Sequence, residues 1–358
     1  MNIEASSADY THLPQAAVVA AEQYIETCRN STSIGTAGIK MYTSTQLLLW
    51  HLDAFKGADD PVPEWVSRFE QATALVRAAE RAFKQYEVDG SNLESTQASD
   101  ERFVAAMFSN VWQDMEDAIY FDESAEFLRT RLEMNAVSVS DLFGNKVVVD
   151  AGCGSGKFSA AIASFGAEKV IGLDIGLDGL AFARRQAAKK PFGARLDFRF
   201  GSAHEIPLAD KSVDFVFSNG VIHLTDNYDK CVEEFSRILK PGGTLFLYVN
   251  GRFGLYELLF ESLRRASIGI PYALFQHYLI ASGFNSGRVY WMMCAFYGPY
   301  QWRAKKAVLD LLERNGFQNI RQLTRGVAID QIELVSRGLP FAELKYGEAQ
   351  LKFLATAT

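Results

Sequence analysis

The stretch KVVVDAGCGSGKFSAAIASFG, residues 146–166, decides how this chain folds. A run of valines ends in Asp150. Gly152, Gly154 and Gly156 then fall at every second position, and an alanine-rich pattern with helical spacing follows. A strand buried on both faces reads as a continuous apolar run. Glycine accepts positive φ and lets a ligand lie against bare backbone. The stretch is therefore a strand, a tight turn and a helix, with the turn placed to hold something.

The same texture continues outward. Strand-like runs are expected at KVVVDAG (146–152), KVIGLDI (169–175), LDFRFG (196–201), VDFVFSNG (213–220), GTLFLYVN (243–250), NIRQLTRG (319–326) and AQLKFLATA (349–357). Between the first five lie helical patterns such as FSAAIASFG, LDGLAFARRQAAKK and YDKCVEEFSRILK, where Cys231, Phe235, Ile238 and Leu239 share one face. Strands alternating with helices specify an α/β fold, a doubly wound and mostly parallel seven-stranded sheet covered on both sides. The last two strands follow one another without a clear helix, so one of them is expected to run antiparallel.

Before this region the pattern is helical. PQAAVVAAEQYIETC (14–28), STQLLLWHLDAF (44–55), PEWVSRFEQATALVRAAERAFKQY (63–86) and SDERFVAAMFSNVWQDMEDAIYF (99–121) carry apolar residues at three- and four-residue steps, with a polar loop at 87–100. Residues 1–120 are expected to form a helical cap, which either stabilises or dimerises the protein or covers substrate. Residues 121–358 are expected to form the sheet domain, with 251–302 inserted after the fifth strand as an aromatic-rich lid.

Bulk composition narrows the partners. With 358 residues, 48% of them hydrophobic, the chain can bury a sizeable core. A net charge of -7 argues against a nucleic acid or an anionic membrane as the default partner, since both call for a basic face, and leaves room for a local basic patch. Cys28, Cys153, Cys231 and Cys294 lack CxxC spacing and read as reduced thiols of a cytoplasmic protein. MNIEASSADYTHLPQ shows no signal-peptide pattern, and no apolar run reaches the roughly 18 residues of a membrane span.

In such sheets ligands bind at the carboxyl ends of the strands. A dinucleotide would lay its pyrophosphate over GxGxxG. Here the spacing is GxGxG with Asp150 ahead of it, and a carboxylate beside a pyrophosphate is repulsive by on the order of 1 kcal/mol. A cationic ligand suits the turn better.

Residues 147–250 resemble a class I S-adenosylmethionine-dependent methyltransferase, closest in texture to the ubiquinone/menaquinone-biosynthesis branch. VVVDAGCGSG is similar to that family's first motif and VIGLDIG to its second. GSAHEIPLADKSVDFVFSNGVIHLTD resembles the stretch that lines the adenine, and EFSRILKPGGTLFLYV the helix, Pro-Gly-Gly turn and fifth strand. The resemblance implies S-adenosylmethionine as cofactor and a Rossmann-like methyltransferase fold. It places Asp150, Gly152, Gly154 and Gly156 at the cofactor turn, Asp174 on the ribose and Ile175 on adenine. Where the family has an aspartate at the adenine amino group, this chain has Ser202, which keeps a hydroxyl acceptor, or His204 stands in. Ala203 would offer its backbone N–H, and Asn219 would line the methionine end.

Methyl transfer from a sulfonium is an in-line displacement governed by alignment. A base is needed only when the acceptor arrives protonated. The candidate is His223, just past the fourth strand, with an unperturbed pKa of about 6.5; the alternative is a histidine packed behind the cofactor. No metal-ligand cluster is expected. Acceptor contacts are expected from the aromatic insertion, notably Tyr256, His277, Tyr290, Trp291, Tyr300 and Trp302, as a cage or slot. The alternative there is a hydrophobic core beneath a lid. Arg252, Arg264, Arg288 or Arg303 would serve an anionic substrate, and Asp330 would point into the same cleft. The expected function is methylation of a small molecule, with a possible homodimer through the N-terminal helices. Methylation of protein or RNA, and a non-catalytic scaffold, remain as alternatives.

Overall fold

The computed structural model describes residues 10–84, 117–327 and 330–358. The loop expected at 87–100 and most of the helix expected at 99–121 lie outside the described residues. The chain divides into two compact units. One comprises Met1–Ala98, Arg252–Gly298 and Gly338–Gly347, and the other Ser99–Gly251, Pro299–Arg337 and Glu348–Thr358. The aromatic insertion is thus split: residues 252–298 group with the N-terminal helices and residues 299–302 with the sheet.

The second unit is built on a seven-stranded sheet. Its strands are β1 (Val147–Ala151), β2 (Lys169–Asp174), β3 (Leu196–Phe200), β4 (Val213–Asn219), β5 (Leu239–Asn250), β6 (Phe317–Gln322) and β7 (Gln350–Ala357). The order is β3-β2-β1-β4-β5-β7-β6. The pairs among β1 to β5 are parallel, and β7 runs antiparallel to both β5 and β6. One of the last two strands is antiparallel, as the sequence suggests. The segment between them is not helix-free, however: Gln331–Ser336 and Ala342–Tyr346 are short helices. With six and five residues they are too brief to display a period.

Strand alternation builds two core layers. On one face Val149, Ile171, Val216, Leu245, Leu247 and Phe353 pack with Cys231, Val232, Phe235 and Ile238 of the helix Tyr228–Ile238. On the other, Val148, Val170, Phe215, Phe217 and Phe246 pack with Leu128 and Leu132 of the helix Asp117–Glu133, and with Ile162 of the helix Lys157–Ser164. The Phe217 and Phe246 rings stack with centroids 4.7 Å apart. Apolar residues on both faces give these strands their unbroken hydrophobic reading.

The first unit is helical. Its helices include Gln15–Asn30, Ile34–Ala54, Val62–Lys84, Leu255–Ala266, Tyr272–Ala281 and Ser286–Tyr297. Tyr24, Phe55, Trp65 and Phe69 are fully buried, and the Trp65 indole N–H donates to Ala17 O at 3.1 Å. The second helix starts ten residues before the apolar period does. Two glycines obscure its first turns, and one has a packing reason: a Cβ at Gly35 would lie 2.3 Å from the ring of Phe83.

Candidate cofactor and acceptor site

The turn after β1 is fixed by its backbone. Gly152, Gly154 and Gly156 all have positive φ, at 81°, 53° and 79°. A Cβ at Gly152 would stand 2.5 Å from Val221, and one at Gly156 would stand 2.6 Å from Phe198. Both approaches exclude any side chain. Gly154 differs, because a Cβ there would meet nothing within 4 Å. The outer two glycines seat the turn against its neighbours, and the central one faces open space.

Asp174, at the tip of β2, ties the turn down. Its Oδ2 accepts the Gly154 N–H at 2.7 Å and its Oδ1 the Gly176 N–H at 2.7 Å. Burial raises its pKa, and these amide bonds offset only part of the rise. Each oxygen keeps lone-pair capacity for one more donor. Ile175 follows, partly exposed. Asp150, just ahead of the turn, is buried. It is 3% exposed, and its Oδ2 accepts the Ser159 hydroxyl at 2.6 Å. Burial pushes its pKa up to about 7, with the Asp174 charge adding to the rise. It fastens the helix Lys157–Ser164 to the strand tip rather than presenting a free charge.

The segment after β3 lies beside Asp174, whose carbonyl accepts the Gly201 N–H at 3.1 Å. Ser202 Oγ accepts the His204 N–H at 3.2 Å, and His204 Nε2 accepts the Asn227 N–H at 3.3 Å. Ala203 is buried between them. Both groups named for the adenine amino contact therefore already serve the local backbone.

The tip of β4 completes the arrangement, since Val221 abuts Gly152. Asn219 Oδ1 accepts from Arg131 Nη1 at 3.4 Å. His223 lies in the short 3-10 turn Ile222–Leu224 and is 4% exposed. Its ring stacks on Tyr300 (centroids 5.6 Å, 11°), and Tyr300 stacks on Trp302 (5.4 Å, 26°). The Gln301 N–H donates to His223 O at 2.7 Å, pinning this aromatic segment to the turn. Nδ1 of His223 has no hydrogen-bond partner among the described residues. Burial lowers its pKa to about 3, so the ring is neutral at physiological pH and a weak base.

Of the six aromatic and histidine residues expected at the acceptor, Tyr300 and Trp302 join this group through His223. The other four belong to the helical unit. There Trp291 stacks on His51 at 6.0 Å, Tyr256 packs on Phe260 at 4.4 Å, Tyr290 is partly exposed and His277 is exposed. Three of the four arginines expected for an anionic substrate are ion-paired: Arg252 with Glu257 at 2.9 Å, Arg264 with Glu261, and Arg303 with Asp229. Arg288 lies over the Trp291 ring at 5.5 Å.

Sequence reasoning missed a buried ionic group on the β4–β5–β7 side. Arg131 donates from Nε to Asp330 Oδ2 at 3.0 Å and from Nη2 to Oδ1 at 2.8 Å. Lys352 Nζ lies 2.6 Å from the same Oδ1. Asp330 thus faces its own cations rather than an open cleft. The available signal was Lys352 itself, a charge inside the apolar run of β7.

The sheet is doubly wound and mostly parallel, with β7 alone reversed, a glycine turn after β1 and an acid at the tip of β2. Residues 149–247 match the family described as Methyltransferase domain. Over 111 residues the chain is 41% identical to the biotin biosynthesis bifunctional protein BioHC of Cellvibrio japonicus, covering 31% of this chain and 21% of that protein. It is 31% identical to a malonyl-[acyl-carrier protein] O-methyltransferase of Yersinia pestis, covering 44% and 54%. To a fatty-acid O-methyltransferase of Mycolicibacterium smegmatis it is 32% identical, covering 39% and 50%. The chain spans about half the length, or less, of these relatives.

Proposed function

We propose that this protein transfers a methyl group from S-adenosylmethionine to a small-molecule acceptor. The observation that carries the reading is the turn at Gly152–Gly154–Gly156, open at its centre and clamped by the Asp174 carboxylate. Bound there, the cofactor would supply an electrophilic methyl group on a sulfonium. Asp174 suits a ribose diol, since each oxygen can accept one hydroxyl beyond its amide bond. The space over Gly154 suits a ligand pressed to backbone. Ile175, Ala203 and the Ser202–His204 loop form the adenine side, and Asn219 the methionine side.

The tasks left to the chain are holding and aligning, which alone can supply several kcal/mol. His223 is assigned to the acceptor as a hydrogen-bonding and orienting group, because a ring that burial keeps neutral is poorly suited to retain a proton. Such a site favours an acceptor that needs no strong base. Two of the relatives above are named as O-methyltransferases, and we carry oxygen over as the acceptor atom. Acceptor choice is assigned to residues outside 149–247, because the family description matched by that segment names no acceptor. The net charge of -7 supports a small molecule over RNA. The four buried free thiols support a cytoplasmic setting.

Calorimetric titration with S-adenosylhomocysteine tests the reading. Micromolar binding is expected, and no binding at millimolar ligand would refute it. Once an acceptor is known, His223→Ala is expected to lower turnover at least about tenfold through lost orientation. Turnover within a few-fold of the parent would remove His223 from the mechanism.

A further inference from the structure

The ionic group at Asp330 is unbalanced. Two cations, Arg131 and Lys352, press on one carboxylate, and the three residues are 3%, 0% and 3% exposed respectively. Asp330 is fully used, since its Oδ2 also accepts the Val327 N–H at 3.1 Å. Lys352 Nζ pairs with Oδ1 at 2.6 Å, and it makes no hydrogen bond to any other group among the described residues. Two buried cations sharing one carboxylate leave unspent donors and a net positive charge, which is costly away from water. Burial and the Arg131 charge lower the Lys352 pKa to about 8, with Asp330 holding it up. Burial, and then the Arg131 charge, lower the pKa of Lys157, a further cation whose field reaches the group.

The place of this group in the fold is specific. Asn219, Tyr248 and Lys352 stand in register across β4, β5 and β7. Arg131 bonds the first at 3.4 Å, and the Tyr248 ring lies 6.0 Å from Arg131 Cζ and 5.5 Å from Lys352 Nζ. Phe127 covers the guanidinium at 4.2 Å. Asn219 and Tyr248, which touch the group, are partly exposed. The glycine turn and Asp174 stand over β1 and β2, so these cations lie on the far side of the turn from the ribose acid, on the flank left for an acceptor. Donors come from side-chain ends between aromatic rings rather than from an array of backbone amides. That favours an organic acid with an apolar body over a phosphate.

We propose that Arg131 and Lys352 form a carboxylate-binding subsite that takes the acid group of the methyl acceptor. The proposal rests on the methyltransferase reading and adds a substrate class to it. The shared chemistry is a carboxylate, and the other source of one is the amino-acid end of the cofactor, so the test separates the two.

Thermal unfolding of the full chain is measured with saturating S-adenosylhomocysteine and millimolar octanoate or phenylacetate, against chloride and inorganic phosphate at equal ionic strength. The carboxylates are expected to raise the midpoint by about 2 °C or more over both controls. Lys352→Met is expected to abolish that rise while leaving the S-adenosylhomocysteine Kd within about threefold. A parent that binds S-adenosylhomocysteine but gains nothing from any carboxylate overturns the proposal, and this arm needs no variant. A rise that persists in Lys352→Met, or is matched by phosphate, also overturns it. A Kd weakened about tenfold or more in the variant assigns the carboxylate to the cofactor and overturns the acceptor assignment. Failure of the parent to bind S-adenosylhomocysteine is read separately, as failure of the methyltransferase reading.

Discussion

Asp174 Oδ2 accepts the backbone N–H of Gly154 at 2.7 Å, so the acid that ends β2 also holds the turn that ends β1. One side chain thereby sets the distance between the two parts of the cofactor site assigned above. Replacing it removes a charged acceptor from two amides and from the ribose at once. Asp174→Ala is expected to weaken S-adenosylhomocysteine binding about 10- to 100-fold, the scale of one or two charge-assisted hydrogen bonds. Calorimetry checks this, and unchanged affinity would move the ribose elsewhere.

The glycines of the turn are separable. Gly156 has a φ of 79°, and a Cβ there would meet the Phe198 ring at 2.6 Å and Ala183 Cβ at 3.0 Å. Gly156→Ala combines a left-handed backbone with overpacking and is expected to destabilise the fold by about 2–4 kcal/mol. Gly154→Ala carries the backbone penalty alone, about 1–2 kcal/mol, but places a methyl group in the open space. Thermal unfolding is expected to report the larger loss for Gly156→Ala, and S-adenosylhomocysteine titration the larger loss for Gly154→Ala. The reverse ranking would mean that the ligand does not lie over Gly154.

Much of this was legible in the sequence because local rules and tertiary demands coincide in a parallel sheet. Strands such as Val147–Ala151 and Val213–Asn219 are buried on both faces and read as apolar runs. The glycine turn needs positive φ at three alternate positions, which the spacing displays. What escaped depends on partners distant along the chain. Gly35 looks like a helix breaker until Phe83 is seated on it. Arg131 and Asp330 are 199 residues apart and meet Lys352 only because β7 inserts between β5 and β6. Ser202 and His204 also accept local backbone N–H groups, a duty the sequence does not display.

The same ionic group sets a stability prediction. Asp330→Asn leaves Arg131 and Lys352 buried with no counter-charge, and removing one partner of a buried pair typically costs about 3–5 kcal/mol. A loss of that order is expected in chemical denaturation. Adding Lys352→Met to the Asp330→Asn variant is expected to restore part of it, since one uncompensated cation is then gone. Additive losses in the double variant would mean that Lys352 is not coupled to Asp330.

Asp150 gives the fold a pH dependence whose sign follows from its burial. Its pKa stands at about 7 in the folded protein, against 3.8 for an ordinary aspartate. Between those values the folded state binds a proton that the unfolded state does not. The stability contributed by this group is therefore fully present below about pH 4 and is lost as pH rises through about 7. Asp150→Asn keeps an oxygen to accept the Ser159 hydroxyl and cannot ionise. Relative to the parent, the variant is expected to gain about 2 kcal/mol of unfolding free energy at pH 8 over its value at pH 5, at 1.36 kcal/mol per pKa unit with allowance for relaxation. Denaturant titrations of parent and variant at the two pH values measure that difference directly. An equal difference at both would mean that Asp150 is already ionised at pH 5, and that its hydrogen bond to Ser159 outweighs burial.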